Sequence, residues 1–262
     1  MGVQQIVDIP IELEREIFEI AAYDDPQFAP RLMLVARRVH DWIRLILFSV
    51  LRLSCARPAP LPLFDQESTK RLSLNFHCLK QSAPHIRHLL VQNLPVEEIA
   101  EILKYCARIE NLALWILRGV FTPLIPTIAN LRLRQLSFDP SCFFISYDED
   151  IPIPFNQPMF HYITHLEIIN VTQSWTKWKE LSTIPYLSHL TLAGVVGKEL
   201  IDNVLEECKW LKRLVIYSYA GIGASDPVGQ LIEGNPRVVA LLPGKDPAGQ
   251  WERCARRKSE FL

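Results

Sequence analysis

The chain has 262 residues, 49% of them hydrophobic, enough to bury a sizeable core in one large or two modest domains and too many for a disordered chain. Its 28 basic and 29 acidic residues leave a formal charge of −1, which excludes an overall electrostatic footprint for nucleic acid. No apolar run is long enough to span a bilayer.

The six cysteines, at 55, 78, 106, 142, 208 and 254, stand singly, without the paired spacing of a metal site, and read as reduced core residues. Residues 1–8 have neither a basic lead nor a continuous apolar core, so no secretory leader is expected. Ile6 stands where myristoylation after Gly2 would need Ser or Thr. The expected location is cytoplasmic, nuclear or both.

Residues 6–54 read as a helical domain of their own. Pro10 suits a first helical position, with Glu12 and Glu14 in the positively polarised first turn. The apolar residues of this helix fall on two faces, Leu13, Ile17 and Ile20 on one and Ile11, Phe18 and Ala22 on the other. After the turn signal Asp24-Asp25-Pro26, Pro30 opens a second helix carrying Leu32, Leu34 and Val35. Val39, Trp42, Ile43, Ile46 and Leu47 then fall at the i, i+3, i+4, i+7 and i+8 spacing of a third. Three short helices cannot hide so much apolar surface among themselves. Capping the next unit would cover one face, so a partner is expected on the second.

Residues 55–66 hold three prolines in five positions and read as a linker. Residues 68–82 suit a strand or a helix, with helix preferred. From Ile86 an internal repeat runs, spelled apolar-x-x-Leu-x-apolar: Ile86-Leu89-Val91, Ile109-Leu112-Leu114, Leu133-Leu136-Phe138, Ile163-Leu166-Ile168, Leu187-Leu190-Leu192 and Leu211-Leu214-Ile216, with a degraded copy at 238–242. The central leucines recur at a nearly constant interval, broken by one longer step from Leu136 to Leu166. Helical spacing lies between them, as in Val96, Ile99, Ala100 and Leu103, and in Leu200, Ile201, Val204 and Leu205. Such a period marks a leucine-rich-repeat solenoid over residues 67–245, an α/β architecture with a curved parallel sheet and helices on its convex side. One unit alone cannot fold. Its few aliphatic side chains gain about 1.5–3 kcal/mol each on burial, whereas ordering costs about 1–2 kcal/mol per residue.

Residues alternating with the buried leucines face the concave side. The row before each central leucine reads His88, Asn111, Gln135, His165, His189 and Arg213. Its neighbours read Leu90, Ala113, Ser137, Glu167, Thr191, Val215 and Gln92, Trp115, Asp139, Ile169, Ala193, Tyr217. A substrate face is expected here, drawing on His88, Asn111, Trp115, Gln135, Asp139, His165, Glu167, His189, Arg213 and Tyr217, with Trp115 and Tyr217 as aromatic anchors. The ordinary alternative is a solvated sheet face. In the long step, residues 139–162 replace the expected helix with four prolines, four phenylalanines, two tyrosines and the acidic triplet Asp148-Glu149-Asp150. Phe143 and Tyr147 are the candidate contacts of this loop, which is either part of the substrate site or a lid closing the core. Residues 246–262 read as a helix starting near Pro247 that caps the last repeat, with Trp251, Cys254 and Ala255 on its apolar side.

No catalytic motif stands out. Gly221-x-Gly223 follows a strand, but Asp226 and Pro227 break the dinucleotide fingerprint. No Gly-x-Ser-x-Gly, Walker or His-Glu-x-x-His sequence is present. No cofactor and no metal are expected.

The N-terminal spelling Ile9-Pro10-x-Glu12-Leu13-x-x-x-Ile17-Phe18, then Leu34-Val35-x-Arg37-x-Val39-x-x-Trp42, followed by Phe48 and Leu51-x-Leu53, resembles an F-box. With Ala21-Ala22, the Asp-Pro turn and the repeats that follow, it is similar to the F-box-like proteins of mushroom-forming fungi. Ile9 stands where the motif usually has Leu. F-boxes bind the Skp-family adaptor of cullin–RING ubiquitin ligases, so the resemblance implies adaptor contacts among Ile9, Pro10, Leu13, Ile17, Leu34, Val35, Val39 and Trp42. It implies a non-enzymatic subunit that holds a protein substrate on its repeats; from the charge balance and the lack of a long apolar run, no nucleic-acid or membrane partner is expected. The alternative is a repeat scaffold without a ligase role.

Overall fold

The computed structural model describes residues 9–54, 79–116, 120–217, 234–242 and 244–257. The linker 55–66, most of 68–82 and the glycine pair at 221 and 223 lie outside these; residues 79–82 are helical.

Three helices open the chain: α1 (Ile11–Asp24), α2 (Ala29–Leu32) and α3 (Arg37–Ser49). Pro10 is the N-cap of α1 rather than its first helical residue. The second helix stops at Leu32, which leaves Leu34 and Val35 in the following turn. Ala22, Ala29, Leu32, Val39, Ile43, Ile46 and Leu47 close a small core of their own, with Phe18 and Trp42 packed at its margin. Arg38 clamps α3 to α1, donating from Nε and Nη2 to the two Glu14 carboxylate oxygens at 2.9 and 2.8 Å.

An eight-stranded, wholly parallel and open sheet follows, its strands in chain order. They are β1 (Val50–Ser54), β2 (His88–Gln92), β3 (Asn111–Trp115), β4 (Gln135–Phe138), β5 (His165–Val171), β6 (His189–Gly194), β7 (Arg213–Tyr217) and β8 (Val238–Leu241). The register aligns the repeated leucines, Leu51 with Leu89, Leu89 with Leu112, and onward to Leu214 with Val238. Between strands run α4 (Val96–Tyr105), α5 (Ile125–Ala129), α6 (Pro140–Phe144), α7 (Trp175–Trp178) and α8 (Lys198–Glu207), with short 3-10 turns. Ile99, Ile128, Trp178 and Ile201 from this layer join Leu89, Leu112, Leu136, Leu166, Leu190 and Leu214 in one continuous core.

The first strand corrects the expected domain boundary. Residues 50–54 belong to the sheet, so the helical unit ends at Ser49. The long step is an ordered segment: Phe143, Phe155 and Phe160 are buried among Phe121, Phe138 and Trp178, filling the core where the helix is short. Thus Phe143, expected at a substrate surface, is a core residue; Tyr147 is exposed.

The last helix, α9 (Pro247–Arg257), also departs from expectation. It does not cap the array but lies across the sheet face opposite the other helices, at its first strands. Ala248, Trp251 and Ala255 pack on Val50, Leu90 and Ala113, with Trp115 at the margin. Buried Arg256 donates to the Val50 carbonyl at 3.5 Å and pairs with Glu252 at 2.9 Å. Among the described residues no helix is long and apolar enough to cross a membrane.

Candidate functional site

Two surfaces emerge from this arrangement. The first is on the N-terminal helices. Their inward face is closed, yet Leu13 and Ile17 on α1 are 52% and 55% exposed, and Leu34 and Val35 in the turn before α3 are 85% and 62% exposed. Ile9 and Pro10, at the start of α1, are exposed with them. The i, i+4 spacing of Leu13 and Ile17 fixes them on one stripe of the helix, pointing away from the Phe18 and Ala22 side that packs inward. Val39 does not join them: it sits wholly inside the bundle, because the stripe that builds α3 places it beside Ile43. Trp42 is half-buried.

The second surface is the helix-free face of the sheet. With α9 covering one end, this face becomes a half-open cavity of about 480 Å³. Asn111, Trp115, Gln135, His165, Glu167, His189 and Tyr217 line it from the strands, and Lys245, Gln250, Trp251 and Cys254 from the helix side. The volume lies within the roughly 300–1,000 Å³ of small-molecule sites.

Its floor carries two hydrogen-bonded arrangements. Trp115 Nε1 donates to Ser137 Oγ at 2.6 Å, and Ser137 Oγ donates to Glu167 Oε2 at 2.5 Å. Burial holds the Glu167 carboxyl above the usual carboxylate range, against the opposing pull of the Ser137 hydroxyl. Next to this relay the His165 and His189 rings stack, centroids 4.2 Å apart and nearly parallel at 3°. The Thr164 and Ser188 hydroxyls donate to the Arg134 and Thr164 carbonyls, and each also lies 2.9 Å from the Nδ1 of the following histidine. Each ring nitrogen Nδ1 is therefore held by the hydroxyl of the residue before it, which fixes the orientation of the stacked pair.

Other expected site residues lie elsewhere. Asp139 caps α6, accepting from Ser141 N at 2.9 Å, and also accepts from Asn170 Nδ2 at 2.8 Å, so it is a structural carboxylate. His88 lies outside the cavity lining; burial pushes its imidazole down to about 4, with Arg256 and Arg87 acting in the same direction and Glu110 opposing them. Arg213, at the head of β7, is exposed and does not line the cavity.

Sequence reading missed the contribution of α9. Its signal was present: Leu90 and Ala113 are apolar in a row that elsewhere holds Ser137, Glu167 and Thr191, and Trp251 sits on the apolar side of its helix. Arg52 was missed with β1, whose Phe48-x-x-Leu51-x-Leu53 spelling matches the repeat but stands too far ahead of Leu89 to fit the period.

No model of a known protein family and no curated protein matches the chain.

Proposed function

We propose that this protein is an F-box-like substrate-recognition subunit of a cullin–RING ubiquitin ligase with leucine-rich repeats. The N-terminal helices dock a Skp-family adaptor, and the sheet face holds a protein substrate. The observation that carries the reading is the exposed apolar surface of Leu13, Ile17, Leu34 and Val35 on a helical unit whose own core is already closed. Apolar exposure on this scale, on residues that match the F-box spelling, favours a protein partner over water. The subunit performs no chemistry; transfer of ubiquitin depends on the proximity the assembly supplies.

The test is co-purification of the full chain with a Skp-type adaptor. Wild type retains the adaptor, and the combined substitutions Pro10→Ser, Leu13→Gln and Ile17→Gln abolish retention without unfolding the chain, because all three side chains are exposed. A wild-type chain that fails to retain the adaptor overturns the reading and leaves a repeat scaffold whose N-terminal helices serve another partner.

A further inference from the structure

The repeats enter their strands through the same hydrogen-bonded turn. Ile86 N donates to Ala83 O, Ile109 N to Cys106 O, Ile163 N to Phe160 O, Leu187 N to Ile184 O and Leu211 N to Cys208 O. The third residue of each turn is His85, Arg108, Tyr162, Tyr186 and Trp210 in order; Arg132 stands at the same count before Gln135. Strand register fixes these positions side by side along one rim of the sheet, so each repeat offers one side chain in a row.

Three consecutive members are aromatic and face solvent: Tyr162 is 55% exposed, Tyr186 62% and Trp210 82%. Exposure on this scale makes them among the most solvent-facing large side chains of the sheet rim, with His161 beside Tyr162, its ring centroid 6.2 Å away. Their surroundings are basic rather than apolar. Arg108, Arg132, Arg134, Lys209, Lys212 and Arg213 are exposed on this rim and form no ion pair among the described residues. Of the acids nearby, Glu110 pairs with Arg87 at 3.4 Å, and Glu206 and Glu207 end α8. An apolar protein partner would want apolar neighbours around such rings. Exposed aromatic rings flanked by cations instead suit a flexible polyanion that itself carries rings.

We infer that this rim binds single-stranded nucleic acid, one base stacking on each of Tyr162, Tyr186 and Trp210 while the flanking arginines and lysines contact phosphates. Duplexes are excluded because their bases are already stacked on one another. The chain's balanced total charge does not oppose this, since cations a full repeat apart in sequence are gathered in one line by the stacking of the repeats. The inference is independent of the adaptor reading.

The test uses the full chain with fluorescently labelled ten-nucleotide oligouridylate and oligothymidylate, read by anisotropy at low salt. A duplex of equal length and a ten-residue polyglutamate peptide serve as references. At least one single-stranded probe binds saturably and tenfold or more tighter than both references, and the ranking of the two probes separates RNA from DNA. Trp210→Ala and Tyr186→Ala each weaken binding by about five- to a hundredfold, as expected for loss of one stacked base, whereas Trp210→Phe retains it. Arg132→Gln with Lys212→Gln lowers the slope of log K against log salt by about 1.4, the loss of two phosphate contacts. Unchanged melting temperatures and unchanged adaptor retention in these variants separate rim effects from unfolding and from the ligase reading. Absence of saturable binding, equal affinity for duplex or polyglutamate, or indifference to removal of both rings overturns the inference.

Discussion

His88 offers the sharpest quantitative test of the packing between α9 and the first strands. In the unfolded chain its imidazole takes up a proton near the ordinary value of 6.5, whereas burial holds it at about 4 in the fold. A group whose folded value is depressed in this way contributes its stability above the unfolded value and loses it as pH falls toward the folded one. The linkage relation gives a loss of about 2 kcal/mol between roughly pH 7 and pH 5, and about 3 kcal/mol by roughly pH 4. Against a total of about 5–15 kcal/mol this is a large fraction. The measurement is urea unfolding at several pH values for wild type and His88→Gln, a replacement suited to a row that already holds Asn111 and Gln135. The wild-type profile should fall more steeply than the variant's over this window by the stated amounts. Parallel profiles would refute the reasoning, because they would mean that His88 accepts its proton in the fold as readily as in water.

Three further outcomes follow from the same packing. Trp251→Ala costs about 3 kcal/mol, the lower end for truncating a buried large aromatic, and speeds hydrogen exchange across α9; an unchanged unfolding midpoint would mean the helix is not docked on β1 to β3. Glu167→Gln keeps an acceptor for Ser137 but carries no charge, so the variant gains on wild type as pH rises above the ordinary carboxylate range, where the raised Glu167 loses its contribution; a constant gap in melting temperature from acid to neutral pH would contradict this. Ile116 occupies the left-handed region at φ 53° directly after β3, at the position where β2 is followed by Asn93 at φ 57°. Ile116→Asn should therefore stabilise by about 1 kcal/mol in chemical denaturation, since a β-branched residue is strained there and Asn is not.

Much of the fold was legible because it rests on periodicity. The repeated leucines at 89, 112, 136, 166, 190 and 214 all take the second position of strands in register, and the degraded copy at Val238 forms the eighth strand. Helices at Val96–Tyr105 and Lys198–Glu207 follow their 3.6-residue stripes. The candidate site was legible only in part. Asn111, Trp115, Gln135, His165, Glu167, His189 and Tyr217 do meet around one cavity, but Asp139, His88, Phe143 and Val39 were assigned by position in a row or motif without regard to what packs beside them. Asp139 was claimed by an N-cap, Phe143 by the gap a short helix leaves, and Val39 by the core of its own bundle.

By itself the sequence determined that a parallel sheet must form, since each unit's leucines can be buried only against the next, and that the first helices carry apolar residues on more than one side. The tertiary structure alone decided what covers the other face of that sheet. A helix from the opposite end of the chain to Val50, starting at Pro247, settles on Leu90 and Ala113 because those strands present apolar side chains where their neighbours present polar ones. No local pattern encodes such a contact. It depends on the free energy of two apolar surfaces, remote in the chain, that water drives together only once the sheet has placed one of them.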